Sequence, residues 1–326
     1  MNRMKVAIAA TMLLTGSMSA ALAETNWDLP LAWPADNYIV KNAQVFADRV
    51  KEATKGEVVI TLHPSGSLGF KGPEMVSVVR DGLAPIGDML LNQQVGENAL
   101  FGVQSLPYLI DSFEDLKAFD GMYRAVLDEV FQQNNQKLLY TVPWPQQQIY
   151  TKKEIKTVAG LANIKIRSYD KSSTEIFEAA KMLPVQLPWG EVIPSLAAGV
   201  IDAVATSSPS AVDGSFWEFL KYGYTTRQTW NTNAVTVNLD AWNALGEAER
   251  KAIEDTAASL QESFWQSAAD ADAANMAKLA ENGLENRDLD AETRARLKEL
   301  AGPLREAALA GMDDKARELV KAFEAR

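Results

Sequence analysis

Arg167 is the residue of this chain whose type and setting offer the most chemistry. It lies in a short apolar run that predicts a strand over Lys165–Ser168. A cation at the end of a buried strand costs free energy unless an anion meets it. A guanidinium can hold a carboxylate through two parallel hydrogen bonds, so the anion is either a ligand or a nearby acid such as Asp170 or Glu191.

Residues that could support catalysis are few. His63 is the only histidine and there are no cysteines, which excludes the common zinc sites and thiol chemistry. Neither a phosphate-binding P-loop nor a GxGxxG or GxSxG motif is present. Ser168-x-x-Lys171 matches SxxK, but the KTG and SDN partners of that motif are absent. Asp270 and Asp272 are two residues apart on a predicted helix and face different directions. We therefore expect neither an enzyme nor a cofactor.

The first 23 residues have the pattern of a secretory signal peptide. Residues 2–5 are basic, residues 6–14 are apolar, and residues 21–23 fit a small-x-small cleavage site. The apolar part is shorter than the roughly twenty residues that span a membrane. We expect export to a bacterial periplasm and no membrane insertion after cleavage, the alternative being an uncleaved anchor.

The chain is acidic, with 32 basic and 43 acidic residues and a net charge of −11. Nucleic acids and anionic membrane surfaces require a basic face, so we expect neither as a partner. Without disulfides, core packing alone must stabilise these 326 residues, which are enough for two domains.

Alternating strand and helix signals predict an α/β fold with sheets covered on both faces. Strands are predicted at residues 28–33, 58–62, 86–91, 137–142, 165–168, 185–187, 200–205 and 232–238. The C-terminal third is helical over 247–280 and again over 291–326, with an interruption expected at Gly302-Pro303.

The predicted architecture has two lobes, because the chain crosses between two groups of strands more than once. We expect lobe I at 24–143 plus roughly 230–265, and lobe II at 144–229 plus roughly 266–326. A helix of some thirty residues is about 45–50 Å long, enough to brace both lobes. The lobes should open and close about hinge strands near Pro143 and Thr232.

Several short motifs, each weak alone, are specific in their order and spacing. They are Phe46-Ala47-x-x-Val50 with Thr54-x-Gly56, His63-Pro64-x-Gly66-x-Leu68-Gly69, Leu161-x-x-Ile164-Lys165-Ile166-Arg167, Pro184-Val185, Trp189-x-Glu191-Val192 and Ala198-Gly199-Val200-Ile201-Asp202. Over essentially all of the mature chain the sequence resembles the solute-binding proteins of tripartite ATP-independent periplasmic (TRAP) transporters, the DctP family. The resemblance implies a two-lobed clamshell with a long bracing helix, an organic acid in the cleft, and Arg167 as its principal carboxylate partner. It also implies delivery to a membrane permease without ATP.

Two positions depart from patterns seen among relatives. Some relatives, including sialic-acid receptors, have a second arginine about twenty residues before the first, where this chain has the neutral Gln147. After the aspartate the family often has Gly and then Asn, whereas this chain reads Asp202-Ala203-Val204-Ala205-Thr206. Arg167 is therefore the one strong cation of the predicted site, with amide and hydroxyl groups around it.

Large aromatic side chains are also candidates for the site, although each except Trp189 is as consistent with core packing. They are Trp33, Tyr38, Trp144 and Trp189. One carboxylate on Arg167 and the rest of the ligand on rings predicts a monocarboxylate with an apolar, aromatic or hydroxylated body. The alternatives are a C4-dicarboxylate or a sugar acid in the same family, or a binding protein of an ATP-driven transporter.

Overall fold

The structure is a computed structural model that describes residues 24–326, so the predicted signal peptide at 1–23 lies outside the described residues. The strands are β1 Thr25–Pro30, β2 Val58–His63, β3 Ile86–Leu90, β4 Gln136–Pro143, β5 Gln148–Thr151, β6 Lys165–Ser168, β7 Leu183–Gln186, β8 Ala203–Thr206, β9 Tyr222–Thr225, β10 Thr232–Asn238 and β11 Glu285–Asp288. The α-helices are α1 Tyr38–Ala53, α2 Met75–Arg80, α3 Phe113–Gln133, α4 Lys171–Ala179, α5 Val192–Ala197, α6 Ser208–Asp213, α7 Leu239–Asn243, α8 Glu247–Glu281, α9 Ala291–Ala310 and α10 Asp314–Glu324.

The first lobe is built on the parallel β1–β2 pair and on a three-stranded sheet in the order β3-β10-β4. β10 is antiparallel to both neighbours and all seven of its residues are buried, as expected of a central strand. Helix α1 connects β1 to β2 and begins at Asn37, whose side chain accepts a hydrogen bond from the Ile39 amide at 2.9 Å.

The second lobe contains a six-stranded sheet in the order β11-β9-β5-β8-β6-β7. β6 lies between β7 and β8 and is parallel to both, so its carboxyl end opens towards the start of α4. Asp170 ends the connecting turn, and its side chain caps α4 by accepting from the Ser173 amide at 2.7 Å. This arrangement places Arg167 at the edge of the sheet that faces the first lobe.

Two antiparallel segments connect the lobes side by side. One runs from β4 to β5 and the other from β9 to β10, and they are joined where the Trp144 amide donates to the Asn231 carbonyl at 2.8 Å. Further along, the Thr226 and Arg227 amides donate to the Gln147 carbonyl at 3.2 and 3.0 Å. Both hinge positions predicted from the sequence, Pro143 and Thr232, are register partners at the end of this ladder.

The 35-residue helix α8, about 52 Å long, braces both lobes. It packs on α1 and β4 of the first lobe and on α6 and β11 of the second. The predicted α/β clamshell with a long bracing helix is confirmed.

The lobe boundaries remain a prediction, and the packing of the last helix suggests one change to them. The prediction assigns roughly 266–326 to lobe II, yet Leu319, Val320 and Phe323 of α10 pack in the first-lobe core, where the Phe323 ring meets Phe119 edge-on at a centroid distance of 5.2 Å. We therefore propose that α10 belongs with the first lobe.

The predicted interruption at Gly302-Pro303 was wrong. Helix α9 continues through Pro303, although proline removes an N–H donor and crowds the preceding turn. Leu297 and Ala301 are buried in the second-lobe core and hold this part of the helix in place. The break comes instead after Ala310, at residues 311–313, and Asp313 then caps α10 by accepting from the Ala316 amide at 3.0 Å.

Candidate ligand-binding site

A cavity between the two lobes, with about 310 Å³ of empty space, contains most of the predicted site residues. The predicted residues that line it are Trp33, Trp144, Gln147, Arg167, Trp189 and Thr206. The sequence reasoning missed five others: Leu90, Tyr169, Ser207, Ser210 and Asn231. Tyr38, the remaining predicted residue, is not part of the cavity lining. Its hydroxyl donates to the Pro143 carbonyl at 2.6 Å, and its ring packs edge-on against that of Trp144 at a centroid distance of 5.5 Å.

Arg167 is 3% exposed and is held by backbone carbonyls. Its Nε donates to Leu187 at 3.0 Å and its Nη1 to Ala205 at 3.1 Å, while the guanidinium lies 5.4 Å from the centre of the Tyr169 ring. Within residues 24–326 it forms no ion pair, and its Nη2 makes no hydrogen bond. The side chain is thus oriented by the protein while part of its donor capacity remains unused.

The two acids that could have neutralised Arg167 have other direct partners and form no ion pair with it within residues 24–326, although Asp170 is close enough to favour its charged form. Asp170 caps α4 and accepts from the Asn92 amide group at 2.5 Å, and Glu191 pairs with Lys71 at 2.9 Å. Burial lowers the pKa of Arg167 to about 10, which leaves the guanidinium protonated at neutral pH. A buried, charged and unpaired guanidinium therefore faces the cavity.

Two tryptophans form an apolar wall of the cavity. The rings of Trp33 and Trp144 meet edge-on with centroids 4.6 Å apart. Trp33 Nε1 donates to Asp88 at 3.1 Å, and Trp144 Nε1 donates to Asn233 at 2.7 Å. Asn233 in turn donates to Asp88 at 2.7 Å. Because both indole N–H groups are satisfied inside the protein, the rings offer a ligand only apolar surface.

Trp189 lies on a short 3-10 helix, Trp189–Glu191, at the interface between the lobes. Its half-buried ring packs against the first-lobe core that contains Trp33 and against the second-lobe core, where Phe216 is 6.3 Å away. Trp189 therefore contacts both lobes beside the cavity.

The residues that were missed differ in how visible they are in the sequence. Tyr169 is two positions after Arg167 and shares its face of an extended chain, a signal that could have identified it. Asn231 enters the site only because the two interlobe segments pair, and Ser207 only because β8 ends next to β6. Those long-range pairings have no local sequence signature.

The buried Asp88 makes the stability of the protein depend on pH. Burial raises the pKa of Asp88 to about 7, against the opposing effect of its hydrogen bonds from Asn233 and Trp33. The folded protein then holds this proton more tightly than the unfolded chain. Its stabilising contribution is complete below pH 3.8, the unfolded value, and is lost as the pH rises through about 7. Between pH 5 and pH 8, we expect the deprotonation of Asp88 to lower the unfolding free energy by about 2–3 kcal/mol.

The substitution Asp88→Asn keeps an oxygen acceptor for both donors and removes the titration. The unfolding free energy of the variant minus that of wild type, both from denaturant titrations, should therefore rise by about 2–3 kcal/mol between pH 5 and pH 8. Burial also raises the pKa of Asp120 and Asp213 to about 6, but these groups titrate in both proteins and cancel. The exposed Asp48→Asn is the control and should show no such trend. A constant difference between Asp88→Asn and wild type would contradict the assignment.

The model of the DctP family, described as bacterial extracellular solute-binding protein family 7, matches residues 31–310. The chain belongs to the DctP family. Members of this family are periplasmic solute-binding receptors and not enzymes, so the expectation of a non-catalytic binding protein is confirmed. Within the described residues, none of the helices combines the length and the apolar character that a membrane crossing requires.

Similar proteins agree with this membership, and the two solved structures do so over nearly the whole chain. DctP7 of Bordetella pertussis, an extracytoplasmic solute receptor binding pyroglutamic acid, is 29% identical with a TM-score of 0.89, covering 92% of this chain and 99% of that one. A TRAP solute-binding protein from a marine metagenome, specific for pyroglutamate, is 30% identical with a TM-score of 0.89 and coverage of 93% and 100%. The 2,3-diketo-L-gulonate-binding periplasmic protein YiaO of Escherichia coli is 25% identical over 65% of each chain.

Proposed function

We propose that this DctP-family receptor captures a small monocarboxylate, with pyroglutamate as the first candidate, and that Arg167 binds its carboxylate. The observation that carries the proposal is the buried guanidinium that faces the cavity without an acidic partner among residues 24–326. Such a charge is costly unless a ligand anion completes it. The two pyroglutamate-binding proteins described above support the choice of first candidate.

The composition of the cavity wall favours one carboxylate over two. Arg167 is the only charged residue among those that line it, and Gln147 and Thr206 supply neutral polar groups. A second ligand carboxylate would lose its water without gaining a cation. The apolar wall formed by Trp33 and Trp144, whose indole N–H groups are satisfied inside the protein, favours a body with few hydroxyl groups over a sugar acid.

We propose that ligand capture is coupled to lobe closure. Polar contacts join the lobes around the cavity, between Asn92 and Asp170, between Lys71 and Glu191, and between Asn37 and Asp213 at 2.5 Å. A ligand that bridges the lobes adds to these contacts and shifts the population towards the closed form. The closed form would then present the surface to which the membrane permease of a TRAP transporter binds.

Calorimetry with candidate acids tests the proposed function. The mature protein is unfolded and refolded first, to remove any ligand carried through purification. Pyroglutamate should bind at least about 100-fold more tightly than succinate, because the second carboxylate of succinate lacks a cation. D-Glucuronate should also bind weakly, because its ring hydroxyl groups would lie against the apolar faces of Trp33 and Trp144 without hydrogen-bond partners. Tighter binding of succinate or D-glucuronate than of pyroglutamate would contradict the proposal.

A further inference from the structure

Asn231 presents an unpaired hydrogen-bond acceptor in the wall of the cavity. The residue is 3% exposed, and its Nδ2 donates to the Tyr169 hydroxyl at 3.3 Å. That hydroxyl shares a second hydrogen bond with Thr229 at 2.6 Å, so the network is consistent when Tyr169 donates to Thr229 and accepts from Asn231. Asn231 Oδ1 is then the free end of the amide, and it has no partner within residues 24–326.

Ser207 presents a second unpaired group in the same wall. It is the residue before α6, a position where serine usually accepts from the first turn, yet its side chain makes no such bond. The residue is 1% exposed, and its hydroxyl lacks a partner in the described part of the chain. Fifteen buried side-chain polar atoms in the described part of the chain lack a partner, and Asn231 Oδ1 and Ser207 Oγ are the two whose residues line the cavity, which makes them candidates for contacts with a ligand.

We propose that Asn231 and Ser207 select a cyclic amide, with Asn231 Oδ1 accepting the ring N–H of the ligand and Ser207 Oγ donating to its ring carbonyl. This inference rests on the proposed function, in which the ligand carboxylate is bound by Arg167. Each of the three residues then recognises one group of the ligand: Arg167 binds the carboxylate, Asn231 binds the ring N–H and Ser207 binds the ring carbonyl. The tryptophan wall, with both N–H groups satisfied internally, cannot supply either polar contact.

A pair of ligands isolates the N–H contact. Pyroglutamate carries the ring N–H, whereas 3-oxocyclopentane-1-carboxylate has a methylene group there and keeps the carboxylate and the carbonyl. Leaving a buried acceptor unsatisfied lowers affinity by about 10- to 100-fold, so wild type should prefer pyroglutamate by that factor in calorimetry. This comparison needs no variant and is independent of effects on folding.

Two substitutions then assign the contacts to residues. Asn231→Leu should reduce the preference to within about threefold by weakening pyroglutamate alone, because the leucine offers no acceptor. Ser207→Ala should weaken both ligands by about 5- to 20-fold and leave their ratio unchanged, because both carry the carbonyl. Asn275→Leu, on α8 outside the cavity lining, is the matched control and should keep both wild-type affinities.

The outcomes separate this inference from the proposed function. Equal affinity of wild type for the two ligands, or an Asn231→Leu variant that keeps the preference, would overturn the role of Asn231 even if Arg167 proves essential. A Ser207→Ala variant with unchanged affinities would overturn the role of Ser207. Failure of both ligands to bind wild type would overturn the proposed function as well.

Discussion

Replacing Arg167 by methionine should weaken pyroglutamate binding by about 2–5 kcal/mol, roughly 30- to 5,000-fold in Kd by calorimetry. The ligand carboxylate would lose its charged partner in a cavity whose other lining residues are all neutral. The melting temperature without ligand should change little. The methionine removes the cost of burying an unpaired charge, and this offsets the two lost hydrogen bonds to the Leu187 and Ala205 carbonyls.

Two further variants make this result specific. Arg167→Lys keeps a positive charge without the planar fork and should recover only part of the affinity. Arg49→Met removes an exposed arginine that pairs with Glu52 on the surface of α1, and it should bind as wild type does. If Arg167→Met bound pyroglutamate with near wild-type affinity, the carboxylate would have to lie elsewhere.

Replacing Trp189 by alanine should weaken binding by about 2 kcal/mol, roughly 30-fold in Kd. The ring lies beside the cavity and packs on the cores of both lobes. Its loss therefore removes apolar contact with the ligand and also contact between the lobes in the closed form. Because the ring is only half-buried, the unfolding free energy of the ligand-free protein should fall by much less than a core truncation would cause. Calorimetry and denaturant titrations on the same sample measure both effects.

Trp144→Ala is the contrasting variant. Trp144 is buried, packs edge-on against Trp33 and donates to Asn233, so its truncation should lower the unfolding free energy by about 3–5 kcal/mol. If Trp189→Ala left the affinity unchanged, Trp189 would not be part of the binding wall, and if it cost as much stability as Trp144→Ala, its main role would be in the core.

Much of the fold could be predicted because its elements carry local signals. The periodic run of α1 with Asn37 at its start, the long α8 and the apolar β10 are all recognisable from residue types alone. The strands at 148–151, 222–225 and 285–288 were not predicted. They are four residues long, and hydrogen bonding to sheet neighbours, not an apolar pattern, decides their conformation.

The site shows the same division between local and long-range information. Arg167 could be found because a lone arginine at the end of an apolar strand is conspicuous, and the resemblance to DctP receptors gave it a role. Asn231 and Ser207 could not, because being unpaired is a property of the folded neighbourhood. The Gly302-Pro303 prediction failed for a related reason: burial of Leu297 and Ala301 overrides the local preference for a break.

A crystal structure of the mature protein with bound pyroglutamate tests the central claim most directly. The account predicts a ligand carboxylate oxygen about 2.7–2.9 Å from a guanidinium nitrogen of Arg167, with the ring against Trp33 and Trp144. A ligand in the cleft whose carboxylate is bound by other groups, with Arg167 still bonded only to backbone carbonyls, would contradict it.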